Sequence, residues 1–434
     1  MLRLLFILTL TTLIWGCSNK LYLDYDGDSS VVDTDYLNSL STDSSVNHST
    51  DSFTDTLDTE NKTFKPGTDS DTDTTVLDNS WTLMFYMNAD NNLEPYMVSD
   101  LIEISNFTPP PWLEIVILFD RYPLGDVTMG NWTGTRLFNV EHDGSGLKRL
   151  KDSYFLNLSD FGDADELNLG DVKTLSNFIS FSKNRFPANH YGLILSGHGE
   201  GWEKKGADEG TTIDPKYISL DETDGSSKIE IQSQLKYALQ NKNIEVLGFD
   251  ACLMGMIEVA WVFKDSVKYI IASQANEPAY GWDFQSWLSL WIDNIDDAEQ
   301  SAKLLCTSQV ESYKKYHDLL GYSPWPVTMA AYDLSKTEEL GTAISNFAKR
   351  DFPGDYIGDA IMFEPEYPAY DLKNIATAAG DTDLTEAIDN FVISTFDTYE
   401  TVKPGGISIY YTDPFNQPYT ETDFCKQTDW CVNQ

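Results

Sequence analysis

Cations, cysteines and histidines are scarce in this chain. Its 434 residues include 29 lysines and arginines against 69 acidic residues, a formal net charge of −40, with only five histidines and five cysteines. So few cations exclude a nucleic-acid-binding protein, because phosphate backbones are held by clustered Lys and Arg. So few cysteines exclude a disulfide-built scaffold, and the histidines lack the His-x-x-x-His spacing of a zinc site. The amino-terminal apolar run, Leu4 to Trp15, is too short to span a bilayer, and no internal repeat marks a solenoid. What the chain does have is 41% hydrophobic and 13% aromatic residues, ample for a sizeable core. Its length fits two average domains, or one large domain with a tail. The negative charge suits solubility outside a cell and would also suit cationic substrates.

The amino terminus reads as a targeting segment. Arg3 supplies a basic start, and the apolar run after it has the length of a signal peptide. That run ends Leu13-Ile14-Trp15-Gly16-Cys17, which resembles a bacterial lipobox, where the cysteine becomes the lipidated first residue. Residues 1–17 are therefore expected to be a lipoprotein-type signal peptide with Cys17 as the membrane anchor; an ordinary secretory signal is the alternative. Ser18 after the cysteine favours the outer membrane. From Ser18 to Asn79 there are fourteen acidic residues against three lysines, with abundant Ser and Thr and few large apolar residues. Such a stretch cannot bury enough surface to offset its chain entropy, so residues 18–79 are expected to form a disordered tether, or else an interaction tail. Residues 80–434 remain as a single folded domain.

Within it, strand-like runs occur at Trp81–Met87, Glu114–Phe119, Tyr191–Leu195, Ile244–Phe249, Lys268–Ser273, Val327–Tyr332 and Gly406–Tyr411. Several are continuously apolar, as strands buried on both faces require. Helical patterns lie between them, at Leu93–Asn106, Asp171–Arg185, Ile229–Gln240, Met254–Lys264, Asp296–Tyr316, Leu334–Arg350 and Leu384–Thr401. Strand alternating with helix predicts an α/β fold: a mainly parallel sheet with helices on both faces. A hairpin around Arg136–Val140 and Leu147–Phe155 decorates it.

Two strand ends carry chemistry. Ser196-Gly197-His198-Gly199 follows one apolar run, and Asp250-Ala251-Cys252 follows another. In an open parallel sheet the carboxyl edge is where ligands collect. The other histidines fall elsewhere: His48 in the tether, His142 in the hairpin, His190 before a strand and His317 after a helical pattern. Among the cysteines, Cys17 reads as an anchor, Cys425 and Cys431 lie six apart and can pair, and Cys306 sits in a helical pattern as a core residue. Elimination leaves His198 and Cys252, an imidazole and a thiol of the kind that attacks carbonyls. The helix expected from Met254 would put Cys252 near a helix amino terminus, which favours the thiolate.

These residues resemble the clostripain-like cysteine peptidases, within the caspase and gingipain group. The shared pattern is an apolar strand then His-Gly, and a later apolar strand then Asp-Ala-Cys. It is supported by Tyr86-Met87-Asn88-Ala89-Asp90-Asn91-Asn92-Leu93-Glu94, Asp221-Glu222-Thr223-Asp224-Gly225, Glu277-Pro278-Ala279-Tyr280-Gly281-Trp282 and Gly406-Ile407-Ser408-Ile409-Tyr410. The resemblance implies a caspase-like fold and a cysteine endopeptidase acting through a dyad with no obligatory third member. Cys252 would be the nucleophile, His198 the acid and base, and the N–H groups of Gly199 and Cys252 the oxyanion hole. It also implies cleavage after Arg or Lys, with Asp250 selecting the cation, Ser273-Gln274-Ala275 pairing with substrate backbone and Trp282 walling the pocket. Self-cleavage after Lys204, Lys205 or Lys216 in the polar insertion Glu203–Ser227, or after Lys228 directly following it, would fit the same group. No cofactor is required on this reading, although calcium would fit relatives' behaviour, with Asp90 and Asp120 among its candidate ligands. The expected partners are protein or peptide substrates and, through Cys17, a membrane; the expected state is a monomer in the cell envelope or secreted. Two rivals stand beside this: a catalytically silent surface protein that binds peptides, and a metal-assisted hydrolase using Asp90, Asp120, Asp250 and His198.

Overall fold

The computed structural model describes residues 80–431, apart from 124–127, 151–165, 203–216, 295–297, 305, 309–325, 352, 365–366, 413 and 416. Cys17 and residues 18–79 therefore lie outside the described residues, as do Lys204, Lys205, Lys216 and His317.

Strand β1 (Trp81–Ala89) lies inside a nine-stranded sheet. It pairs in parallel with β2 (Leu113–Arg121) on one side and with β5 (His190–Ser196) on the other. Beyond β5 the parallel run continues through β8 (Ile244–Asp250) and β9 (Val267–Ala272). Antiparallel strands close both edges: β10 (Thr328–Asp333) and β13 (Val392–Asp397) beyond β9, and β3 (Gly134–Val140) and β4 (Leu147–Arg149) beyond β2. The result is the expected α/β fold, a mainly parallel sheet covered on both faces.

The continuous apolar runs make sense in that setting. Successive side chains point to opposite faces; Met84 and Tyr86 enter one core while Leu83, Phe85 and Met87 enter the other. Helices Val172–Arg185, Ile257–Phe263, Thr337–Arg350 and Thr382–Phe391 bury apolar residues in the first core. Helices Glu94–Ser105 and Phe284–Asn294 pack into the second, where Trp287 stacks on Trp291 and Trp291 meets Trp81 edge-on. No helix among the described residues is long and apolar enough to cross a membrane.

Several expected elements change. The helical pattern Leu384–Thr401 is split: the helix ends at Phe391, and Val392–Asp397 becomes edge strand β13. Its β-branched Val392 and Ile393 take the open edge of β10, a tertiary choice that overrides a helical period. The run at Val327–Tyr332 is a strand but antiparallel. Gly406–Tyr411 contributes β14 (Ser408–Tyr410) not to the main sheet but to a small one with β11 (Met362–Glu364) and β12 (Tyr367–Asp371). The polar insertion holds a hairpin, β6 (Tyr217–Asp221) and β7 (Ser227–Glu230), and a π-helical turn at Ile231–Leu235 replaces the start of the helix expected from Ile229. Lys228 lies in β7 with its ammonium over the Tyr217 ring, a strand setting unlike that of a cleavage loop. Cys425 and Cys431 form a disulfide. Cys306 is buried, and burial pushes its thiol up to about 12, so it stays inert at neutral pH.

Candidate active site

The carboxyl ends of β5 and β8 meet side by side. Ser196 and Asp250 are register partners, and His198 and Cys252 each stand two residues further on. Gly197 N–H donates to the Asp250 carbonyl at 3.2 Å, tying the two turns together. Gly197 has φ +139°, and a Cβ there would lie 3.1 Å from the Asn88 carbonyl, so the turn into His198 calls for glycine. At Gly199 a Cβ would meet the Cys252 carbonyl at 2.9 Å, and the absence of a side chain lets the two loops touch.

Leu253, directly after Cys252, has φ +62°. A branched residue in the left-handed region stores strain, and the surroundings hold it there. Leu253 N–H donates to Ala275 O at 3.1 Å, and Gly255 N–H to Ser273 O at 2.7 Å. The carbonyls of Ser273 and Ala275, expected to pair with substrate backbone, thus hold the Cys252 loop, and all three residues of Ser273-Gln274-Ala275 are buried. Gly255→Ala would place a Cβ 2.7 Å from Gln274 N and Ser273 C. It is expected to cost about 1–3 kcal/mol, read as a lower Tm. The helix after this loop begins only at Ile257. Cys252 is therefore not at a helix amino terminus, contrary to the expectation from sequence, because residues 253–256 are spent on the turn. Its sulfur instead accepts a hydrogen bond from Glu277 N–H at 3.2 Å.

His198 is buried, and burial pushes its imidazole down to about 4. It is neutral at pH 7 as a result. Nε2 lies 2.6 Å from Asn92 Oδ1. An amide oxygen only accepts, so the proton sits on Nε2 and Nδ1 is the basic nitrogen. Asn92 is thus a third residue at the site. Its signal was present in the Asn91-Asn92-Leu93 run, but nothing in that run says which asparagine reaches a histidine 106 residues away.

Next to Cys252 lies a small open pocket, with Leu93, Met97, Asp100, Asp250, Glu277 and Gly281 among its lining residues. Burial is the largest cause that raises Asp250 to about 6, offset in part by the neighbouring polar groups of Ser196, Glu277 and the Trp282 backbone. Glu277 is raised well above its ordinary value by burial first and by Asp250 second. A protonated Glu277 facing an ionised Asp250 is the charge state these shifts favour. Trp282 is fully buried behind the pocket rather than in its wall; its Nε1 donates to Glu277 Oε2 at 3.2 Å.

A second acidic group lies at the ends of β1, β2 and β6. Carboxylate oxygens of Asp90, Asp120 and Asp221 lie within 4.8 Å of one another, all three residues buried. Thr223 N–H and Oγ–H bond Asp90 Oδ2, and Thr135 and Arg121 N–H bond Asp120 Oδ1. Leu169 N–H and Asp224 N–H bond the two Asp221 oxygens. Asp90 Oδ1 and Asp120 Oδ2 are buried without a hydrogen-bond partner. This is the one group of three or more potential ligands found close enough to share a cation among the described residues, and neither Asp250 nor His198 belongs to it. The four-residue metal centre of the hydrolase alternative is therefore not assembled.

A mainly parallel α/β sheet that brings a histidine and a cysteine to neighbouring carboxyl ends defines the caspase-like class of cysteine peptidase folds. The comparisons with known proteins narrow the class. Residues 85–400 match the clostripain family of peptidases (C11). Clostripain from Hathewaya histolytica is 30% identical over 189 residues, covering 42% of this chain and 36% of that protein, so the match spans about a third of that relative's length. The fold is similar to a secreted C11 cysteine protease from Bacteroides thetaiotaomicron in complex with an irreversible peptide inhibitor, with TM-score 0.64, 18% identity, and coverage of 81% of this chain and 99% of the other. It is also similar to an inactive zymogen C11 protease from Parabacteroides distasonis, with TM-score 0.61, 18% identity, and coverage of 80% and 97%. The chain belongs to the clostripain family.

Proposed function

We propose that this protein is a cysteine endopeptidase that cleaves after arginine or lysine. The observation that carries the reading is the shared register of β5 and β8, which sets His198 and Cys252 at adjacent strand ends beside an acidic pocket. Cys252 is disulfide-bonded in this structure and must first be reduced by an external thiol; the freed sulfur then attacks the scissile carbonyl carbon, and its proton passes to His198 Nδ1. The carbonyl oxygen takes up the negative charge, for which the N–H groups of Gly199 and Cys252 are the proposed donors. Collapse breaks the C–N bond as the imidazolium gives its proton to the leaving amine. Water then attacks the thioester, with His198 as base, and releases the acid. Ionised Asp250 receives the cation of the residue before the cut, and leaving that carboxylate unpaired penalises neutral side chains.

The test is cleavage of fluorogenic peptides ending in Arg, Lys, Asp or Leu, compared with Cys252→Ala. Release after Arg and Lys that vanishes in the variant is the expected result; release that persists without the sulfur would sink the nucleophile. Because Asp250 carries its charge above about 6, kcat/KM on the Arg peptide is expected to fall as pH drops through that value.

A calcium ion is proposed at Asp90, Asp120 and Asp221. The all-oxygen donor set and the two orphaned buried oxygens fit a hard divalent cation. Bound there, it would neutralise clustered carboxylates and pin the β6 hairpin; no proton-transfer step passes through it. For the rest of the chain, a lipid anchor on Cys17 at the cell envelope is supported by the lipobox-like sequence. Detergent-phase partitioning that survives Cys17→Ala would remove that anchor.

A further inference from the structure

The proposed pocket holds a carboxylate that sequence reasoning did not single out. Asp100 lies in the helix Glu94–Ser105, is only 3% exposed, and lines the pocket with Asp250 and Glu277. Buried carboxylates are normally paired with a cation or with several hydrogen bonds. Asp100 has no such protein partner among the described residues, and its surroundings make ionisation harder. Burial first, then Asp250, Glu103 and Asp283, raise its carboxyl well above its ordinary value.

The geometry shows where a partner would sit. The Cβ that Gly281 lacks would lie 3.1 Å from Asp100 Oδ2, and 3.2 and 3.3 Å from the two oxygens of Asp250. Two carboxylates from different walls therefore converge on the same space, and that space is kept open by a glycine at φ +59°. Leu93 and Met97, which also line the pocket, offer apolar surface for an aliphatic stem.

We propose that Asp100 is a second specificity-determining carboxylate, which together with Asp250 clasps the guanidinium of a substrate arginine and makes the pocket favour arginine over lysine. The assignment rests on the reading of this pocket as the site for the residue before the cut. Guanidinium is planar and presents five N–H donors along several edges, so one edge can meet Asp250 while another N–H reaches Asp100. An ammonium is a compact, strongly hydrated point charge and gives up more water to sit between the two. The interaction brings its own cost. A buried, unpaired carboxylate beside another destabilises the empty protein, so an isosteric neutral residue should stabilise the fold while weakening the ligand.

The experiment measures dissociation constants by fluorescence anisotropy for three peptides that differ only in their last residue, Arg, Lys or its neutral isostere citrulline. The protein is the full chain carrying Cys252→Ala, alone and with Asp100→Asn or Asp250→Asn added. Binding rather than turnover is read, before and after limited proteolysis of the polar insertion, because Cys252→Ala removes self-cleavage. The expected result is that Asp100→Asn weakens the Arg peptide by ~30-fold, weakens the Lys peptide less, leaves citrulline unchanged, and keeps or raises Tm. If Asp250→Asn weakens the Arg peptide and Asp100→Asn does not, this proposal is overturned while the basic pocket stands. If neither variant changes the preference for Arg over citrulline, or no peptide shows that preference, the pocket reading falls and this one with it. Equal loss for all three peptides with a lower Tm would mean that Asp100 only supports the fold, and would also overturn the proposal. So would wild-type-background binding of Lys as tight as Arg.

Discussion

His198→Ala is expected to lower kcat on an Arg peptide by about a thousandfold, with KM little changed. The imidazole sits at the end of β5, outside the proposed cation pocket, so its loss is expected to remove proton transfer rather than binding. Its depressed value of about 4 means that the basic nitrogen is available across neutral pH. It also means that the resting site holds a neutral imidazole. Asn92 refines the prediction. Its Oδ1 receives Nε2–H and keeps Nδ1 free as the base. Asn92→Ala is expected to cost about tenfold in kcat, the worth of one well-placed hydrogen bond. Asn92→Asp would set a carboxylate against the same N–H, favour the charged ring, and move the acid limb of the kcat–pH profile upward. Retention of more than a tenth of wild-type kcat by His198→Ala would remove the histidine from the chemistry. An unmoved acid limb in Asn92→Asp would reduce Asn92 to a loop residue.

Calcium is expected to raise Tm by several degrees at pH 8 and by much less at pH 5. At a hundred times its dissociation constant a ligand stabilises by about 2.7 kcal/mol. The pH dependence follows from Asp120 and Asp221. Burial is the largest cause in both; it holds Asp120 well above its ordinary value and Asp221 at about 8. A carboxyl whose folded value lies above its unfolded value of 3.8 keeps its proton longer in the folded protein. The folded state then binds more protons than the unfolded one between those limits, so metal-free stability falls as pH rises from about 4 to about 8. A divalent ion reverses that by pairing with the ionised groups, and its effect grows over the same range. Asp120→Asn removes one of the repelling charges and one of the ligands. It should raise Tm in a chelator at pH 8 and abolish the response to calcium. Identical wild-type melting in calcium and in chelator at pH 8 would dispose of the site, and so would a calcium response undiminished in Asp120→Asn.

The parts legible beforehand share one property: their signal is local. Five parallel strands announced themselves as apolar runs because burial on both faces leaves no room for alternation. The Gly-His-Gly and Asp-Ala-Cys ends could be located because each follows such a run directly. Local period misled where two tertiary environments divided one segment. Residues 384–397 have a helical pattern, yet only the first part packs on the sheet face, while Val392–Asp397 fills an open edge beside β10. The helix expected from Met254 lost its first turn to the hydrogen bonds with Ser273 and Ala275, and with it went the helix-terminus account of Cys252.

Composition and pattern by themselves thus determined the sheet-based class and the two residues placed at strand ends, because both depend on side-chain type and spacing along a few residues. Only the tertiary structure decided which carboxylates meet. Asp100 faces Asp250 because a helix after β1 packs beside the end of β8, and Asp221 joins Asp90 and Asp120 because the β6 hairpin reaches the ends of β1 and β2. In the sequence Asp100 is one of 69 acids with nothing to distinguish it. Burial and proximity, which set the carboxylates' charge state and the cations they can hold, exist only once the chain has folded.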